Sequence, residues 1–198
     1  LFVLDVTQSA GVLSFNKKIL GIDAIVSSGY KWLGGHGGAA FAILSDKFLE
    51  VDPLATGWMS DPEPFSMNTK VLKFPPSASK YTQSTISYVT LKGLEASIDE
   101  ILNLTTERIT NHAKAMSKIL IESVEKSGWL PFRPACDFES SPHIVTLAKK
   151  NICSDKFHEK LRSNDIITSL RNGRIRISIA HYNSEDDIDK LVSILTSD

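Results

Sequence analysis

Cysteine is scarce in this chain. Cys136 and Cys153 are the only two among 198 residues, and they lack the paired spacing of zinc or iron-sulfur sites. A disulfide-stapled fold and a thiolate metal centre are thereby excluded, and the two thiols fit a reducing, cytoplasmic compartment. No apolar run approaches the roughly 20 residues of a membrane helix, and no secretory signal pattern occurs. Asn103-Leu104-Thr105 matches the glycosylation acceptor pattern, but without such a signal it reads as chance. An excess of one charge is also lacking. Lys and Arg number 22 and Asp and Glu 23, a formal net charge of -1, which gives no long-range field to favour nucleic acid or an anionic membrane. The glycines from Gly34 to Gly38 form neither a dinucleotide fingerprint nor a Walker loop, and His112, His143, His158 and His181 show no metal spacing. The chain opens at Leu1, already inside an apolar strand and without an initiator Met, so it is expected to be a piece of a longer protein.

What is present is an apolar content of 42%, enough for a substantial core. Leu1 to Leu4 form a short strand that stops at Asp5, after which Thr7 and Gln8 turn away. A second apolar run, Ile22 to Val26, leads into Ser27-Ser28-Gly29-Tyr30-Lys31 and the glycine cluster, and Ala39 to Leu44 is a third strand. Ligands of open α/β sheets sit at the carboxyl ends of strands, where glycine lets the backbone come close. Lys is also the side chain that forms imines with carbonyl compounds. Taken singly, Lys31 fits a solvated strand end, Asp5 a turn and Gln8 a polar helix start. Two strand ends carrying all three point to a ligand site.

Residues 52 to 80 are rich in Pro and Ser without periodicity and read as a long irregular segment. Apolar residues at 91, 94, 98 and 101 predict an amphipathic helix opened by a Ser or Thr cap, and the free N-H groups of such a start suit a phosphate. A second helix follows from Ile109, Ala113, Met116, Leu120 and Val124, ending near Gly128. Ile144 to Ala148 read as a strand and Asp155 to Arg162 as a short helix. Two β-prone runs, 166 to 171 and 174 to 179, flank Asn172-Gly173, a strong hairpin signal. Strand alternation places Ile175, Ile177 and Ile179 on one face and Arg174, Arg176 and Ser178 on the other. Ser184 caps a last helix, with Asn183 fixing the turn before it and Tyr182 expected in the core.

Three motifs, Asp5-x-x-Gln8, Ser28-x-x-Lys31 with its trailing glycines, and Arg176-Ile177-Ser178-Ile179-Ala180-His181-Tyr182-Asn183, together resemble the class V branch of the fold-type I enzymes that use pyridoxal 5'-phosphate (PLP). That branch includes cysteine desulfurase-like and isopenicillin N epimerase-like proteins and several aminotransferases. The resemblance implies an α/β fold: residues 1-103 as the C-terminal part of the PLP-binding large domain, with a mixed, mostly parallel sheet, then residues 104-198 as a small α+β domain. It implies a Schiff base between Lys31 and PLP, with Lys31 also serving as base and acid at the substrate α carbon. Asp5 would keep the pyridine nitrogen protonated and Gln8 would reach the ring hydroxyl oxygen. Ser28, Tyr30 and Thr85 would contact phosphate, Thr85 that held by a partner subunit, and Arg176 would grip the carboxylate of an amino-acid substrate.

Two positions depart from the pattern. Tyr30 stands where most members have His before the Lys, and Ser84 stands where Gly precedes the Thr. A cysteine desulfurase also needs a mobile Cys shortly before the Arg-bearing strand, and 163 to 172 contain none, while Cys153 reads as a buried or helix-start thiol. The expected chemistry is transamination or epimerisation by a homodimer, with an eliminating lyase second. A dimerising piece that binds no cofactor is the alternative from another class. A nucleic-acid patch of Arg171, Arg174 and Arg176 is disfavoured by the overall charge and the lack of interleaved aromatic residues.

Overall fold

The structure, a computed structural model, describes residues 1-15, 21-134, 137 and 140-197; Cys136 lies outside them. The chain divides into two compact units, Leu1–Leu104 and Thr105–Asp198.

In the first unit the predicted strands form one three-stranded sheet in the order β1 (Val3–Asp5), β2 (Ala24–Ser28), β3 (Ala40–Leu44). β1 runs parallel to β2, with Asp5 in register with Val26, and β3 is antiparallel to β2. The parallel ladder continues one step past β1, where Val6 N donates to Val26 O at 2.8 Å. Ile22, Ala24 and Ile25 are buried together with Val6, Ala10 and Val12, as the apolar run around β2 requires. After a four-residue helix, α1 (Asp46–Leu49), residues 52-80 form no strand, only 3-10 turns at Trp58–Ser60, Pro64–Ser66 and Ala78–Tyr81.

The amphipathic helix is α2 (Tyr88–Leu104), with Leu94 and Ile101 buried. It starts three residues after Thr85, so Thr85 does not cap it. Thr82 O accepts from Ser60 Oγ at 3.0 Å and Gln83 Nε2 donates to Ala55 O at 3.2 Å. These contacts hold the approach to the helix in place, and β-branched Thr85 and Ile86 add little helix propensity.

The second unit packs three helices, α3 (Thr106–Glu125), α4 (Ser154–Arg162) and α5 (Glu185–Thr196), with a four-stranded antiparallel sheet. The strand order is β4 (Trp129–Pro131), β5 (Ile144–Lys149), β7 (Arg174–Ser178), β6 (Ser169–Arg171). Its core joins Val145, Leu147, Ile175 and Ile177 of the sheet to Leu120 and Val124 of α3 and to Ile188, Leu191 and Leu195 of α5. Buried Trp129 donates its ring N-H to Leu195 O at 2.8 Å, which satisfies its one polar atom. The Asn172-Gly173 hairpin forms with both residues at positive φ, 49° and 71°, the combination a two-residue primed turn needs.

Asn183 fixes the turn into α5: its Oδ1 accepts from Ala180 N at 2.9 Å and its Nδ2 donates to Asp187 Oδ2 at 3.2 Å. Tyr182 is not in the core. It is 76% exposed and rests edge-on against His181, because β7 ends at Ser178 and the alternation that buries Ile175 and Ile177 does not extend through the turn.

Candidate active site

The site is assembled where β1 and β2 end. Asp5 closes β1, and a short turn places the Thr7 amide 2.8 Å from its Oδ1. The Thr7 hydroxyl also bonds the carboxylate and accepts from Ser28 N at 3.0 Å, so one threonine ties Asp5 to the end of the neighbouring strand. The hydroxyl and amide of Thr7, and more weakly the charge of Lys31, hold the Asp5 carboxyl below its ordinary range, against a smaller opposing effect of desolvation. Asp5 is therefore an anion at neutral pH.

Beyond Ser28 the chain makes a tight loop. Gly29 N donates to Ala39 O at 2.8 Å, Gly34 N to Lys31 O at 3.0 Å and Gly35 N to Gly29 O at 2.9 Å. Glycine is required at its base: a Cβ at Gly29 would lie 2.8 Å from a Leu94 methyl, and one at Gly35 2.9 Å from another. The loop is thus pressed onto α2, with Leu33 buried beneath it. Lys31 projects from it as an exposed amine, 5.7 Å from the Tyr30 ring centre. Gln8 is tied to this loop, with Trp32 Nε1 donating to its Oε1 at 3.3 Å.

A recess of about 690 Å³ runs along β3 from Ala40 to Leu44 beside Asp5, Thr7 and Ser28, with Ala78, Ser79, Tyr81 and Thr82 on its other side. Asp5 and Ser28 face it, whereas Lys31, Gln8, Tyr30 and Thr85 are not among its walls. Thr85 is exposed ahead of α2.

Arg176 belongs to the second unit, half-buried on β7 between Thr146 of β5 and Ser169 of β6 in register, on the face opposite Ile175 and Ile177. Cys153 is exposed at the start of α4. A larger recess of about 1000 Å³ in the second unit contains none of the residues singled out in the sequence, and charged groups along it pair with one another, Arg133 with Asp137 at 3.0 Å and Lys118 with Glu122 at 3.8 Å.

Sequence reasoning passed over Thr7 and the segment Ala78–Tyr81. Thr7 had a local signal, a hydroxyl two residues after an Asp, where short polar side chains close turns. The wall formed by 78 to 82 had none, since its partners lie some thirty residues away.

The chain is similar to several known proteins. The family profile "Aminotransferase class-V" matches residues 1–191. The chain is 30% identical over 99 residues to a kynureninase of Deinococcus radiodurans, covering 49% of this chain and 24% of that protein. It is 25% identical over 210 residues to a probable cysteine desulfurase of Borreliella burgdorferi, covering 97% of this chain and 49% of that one. In three dimensions it superposes on the apo cysteine desulfurase of Thermococcus onnurineus with a TM-score of 0.87 at 20% identity, covering 99% of this chain and 52% of that structure. The fold is therefore that of a fold-type I PLP enzyme domain, and the chain spans about half or less of the length of these relatives.

Proposed function

Because this chain belongs to the aminotransferase class-V family, we propose that in the full-length protein its strand ends form part of a PLP site, with Lys31 as the attachment point, in an enzyme that transforms an amino acid. The observation that carries this reading is the placement of a carboxylate, Asp5, bonded by the Thr7 amide at the end of β1, and an exposed amine, Lys31, on the loop that follows the adjacent strand. The residues fit the group: a carboxylate fixed at a strand end suits a protonated pyridine nitrogen, and an exposed amine on the next strand's loop suits an imine.

When bound, PLP supplies an electron-accepting ring that stabilises negative charge at the substrate α carbon. Asp5 would hold the ring nitrogen charged, and Lys31 would take and return the proton at that carbon. Gln8 would reach the ring hydroxyl side, Ser28 and Tyr30 would supply donors for the phosphate, and Thr85 would reach the phosphate held by the partner subunit. By the family resemblance, Arg176 would receive the substrate carboxylate through its planar fork. The reading includes a homodimer in the cytoplasm, where a free thiol such as Cys153 is stable.

Epimerisation would need only the return of this proton to the α carbon, whereas transamination would also need a proton delivered to the cofactor's aldehyde carbon and a water to release the 2-oxo acid, the amino group staying on the cofactor. A lyase-type reaction is the second reading, favoured by relatives named kynureninase and cysteine desulfurase. Persulfide chemistry is opposed by the absence of Cys from 163 to 172. The test is an amino-acid panel offered to the full-length protein with PLP, following 2-oxo acid release, racemisation and cleavage products together. Turnover that Lys31→Ala abolishes supports the reading. A wild-type protein that binds PLP and acts on no amino acid contradicts it.

A further inference from the structure

The loop that carries Lys31 lies along one face of α2. Leu94, Ser97 and Ile101 recur there at spacings of three and four, so all three share that face. Leu94 is buried beneath the loop, and its two methyls stand where a Cβ on Gly29 or on Gly35 would fall, at 2.8 and 2.9 Å. Further along the helix Ile101 backs the same loop. A Cβ at Gly11 would lie 2.8 Å from Trp32 O and 3.1 Å from an Ile101 methyl, which places these groups around one point. Between the two apolar contacts stands a polar one. Ser97 Oγ lies within donating distance of Gly34 O at 3.1 Å and of Gly93 O, in its own helix, at 3.0 Å. Gly34 N in turn donates to Lys31 O at 3.0 Å. The Lys31 backbone is thus held to α2 through a single intermediate residue, while its amine stays exposed.

We propose that Ser97 is a positioning residue for Lys31: its hydroxyl, with Leu94 beneath, seats the loop on α2 and so fixes where the Lys31 amine emerges. This rests on the reading of Lys31 as the PLP attachment point. A lysine on an unseated loop must be ordered before it can react, and that entropy slows the reaction. A serine that only stabilised the fold would shift melting on substitution and leave attachment unchanged in fully folded protein.

The experiment compares wild type, Ser97→Ala and Ser97→Thr in the full-length protein, with melting temperature recorded for each. Hydrogen exchange over 31-35 is read without cofactor. The rate of PLP attachment is read by absorbance, as Lys31 Nζ joins the aldehyde carbon and the aldehyde oxygen leaves as water. Ser97→Ala is expected to speed exchange at Gly34 and Gly35, leave exchange in β2 unchanged and slow attachment about fivefold, the factor one ordinary hydrogen bond commands. Ser97→Thr, which keeps the hydroxyl, is expected to restore both. Should Ser97→Ala fail to fold, Leu94→Val, which trims the side chain under Gly29 and Gly35, is expected to act in the same direction. A folded variant that takes up PLP at the wild-type rate overturns the proposal while the Lys31 reading stands, as does slower attachment without faster exchange. Wild-type protein that carries no PLP on Lys31 overturns both.

Discussion

Thr7 makes two bonds to Asp5, one from its hydroxyl and one from its amide, and uses the same hydroxyl to accept from Ser28. The folded pKa of Asp5 is thus depressed. The stabilisation those bonds give is present above the unfolded carboxyl value of about 3.9 and is lost as pH falls through the folded value. Across neutral pH the Asp5 charge is therefore constant, and any pH dependence of activity there must arise elsewhere. Thr7→Val should move the Asp5 midpoint, followed by carboxyl carbon NMR, up toward the ordinary range; an unmoved midpoint would remove Thr7 from this role. Asp5→Asn should leave PLP attached at Lys31 yet lose most turnover, and unchanged turnover would refute the charged-ring role. Arg176→Ala should raise KM for the amino acid far more than it lowers kcat, the pattern of lost ground-state binding. An unchanged KM would dismiss it as the carboxylate partner.

Among the elements, the turn at Asn172-Gly173 and the capped helix α5 were legible because each is specified by neighbours in sequence, whereas the first hairpin strand, expected from 166, begins only at Ser169. Positive φ at two adjacent turn positions demands residues such as Asn and Gly, and the Ser184 hydroxyl accepts from Asp187 N at 3.3 Å while Asp187 Oδ2 accepts from Ser184 N at 3.0 Å. Ser184→Ala should cost about 1 kcal/mol in chemical denaturation, as a lost cap does, and a cost near zero would contradict the capping box. The turn at Ala78–Tyr81 was illegible for the opposite reason. Its anchors, Leu49 and Asp52, are 31 and 28 residues away from Lys80, and nothing in the local sequence marks a lysine for burial. Gly57 belongs to the same system. A Cβ there would lie 1.9 Å from Gln83 O, so Gly57→Ala should displace the approach to Thr85 and speed hydrogen exchange at 82-85, whereas unchanged exchange would show that this contact does not hold the segment.

For the molecule as a whole, the strand-end placement of Asp5 and Lys31 was readable because apolar runs that stop at polar residues mark where buried strands end. The grouping of Asp5 with Ser28 in one recess, and the exclusion of Lys31 from its walls, needed coordinates, since it depends on the loop that Gly29 and Gly35 press onto α2. Arg176 was assigned to the correct face of its strand by alternation alone, since Ile175 and Ile177 fill the core of the second unit. The central claim is that the amine of Lys31 carries PLP. Borohydride reduction of the full-length protein with PLP, followed by peptide mass mapping, tests it most directly: the account predicts a pyridoxyl group on Lys31 alone, and labelling at another lysine, or none, would contradict it.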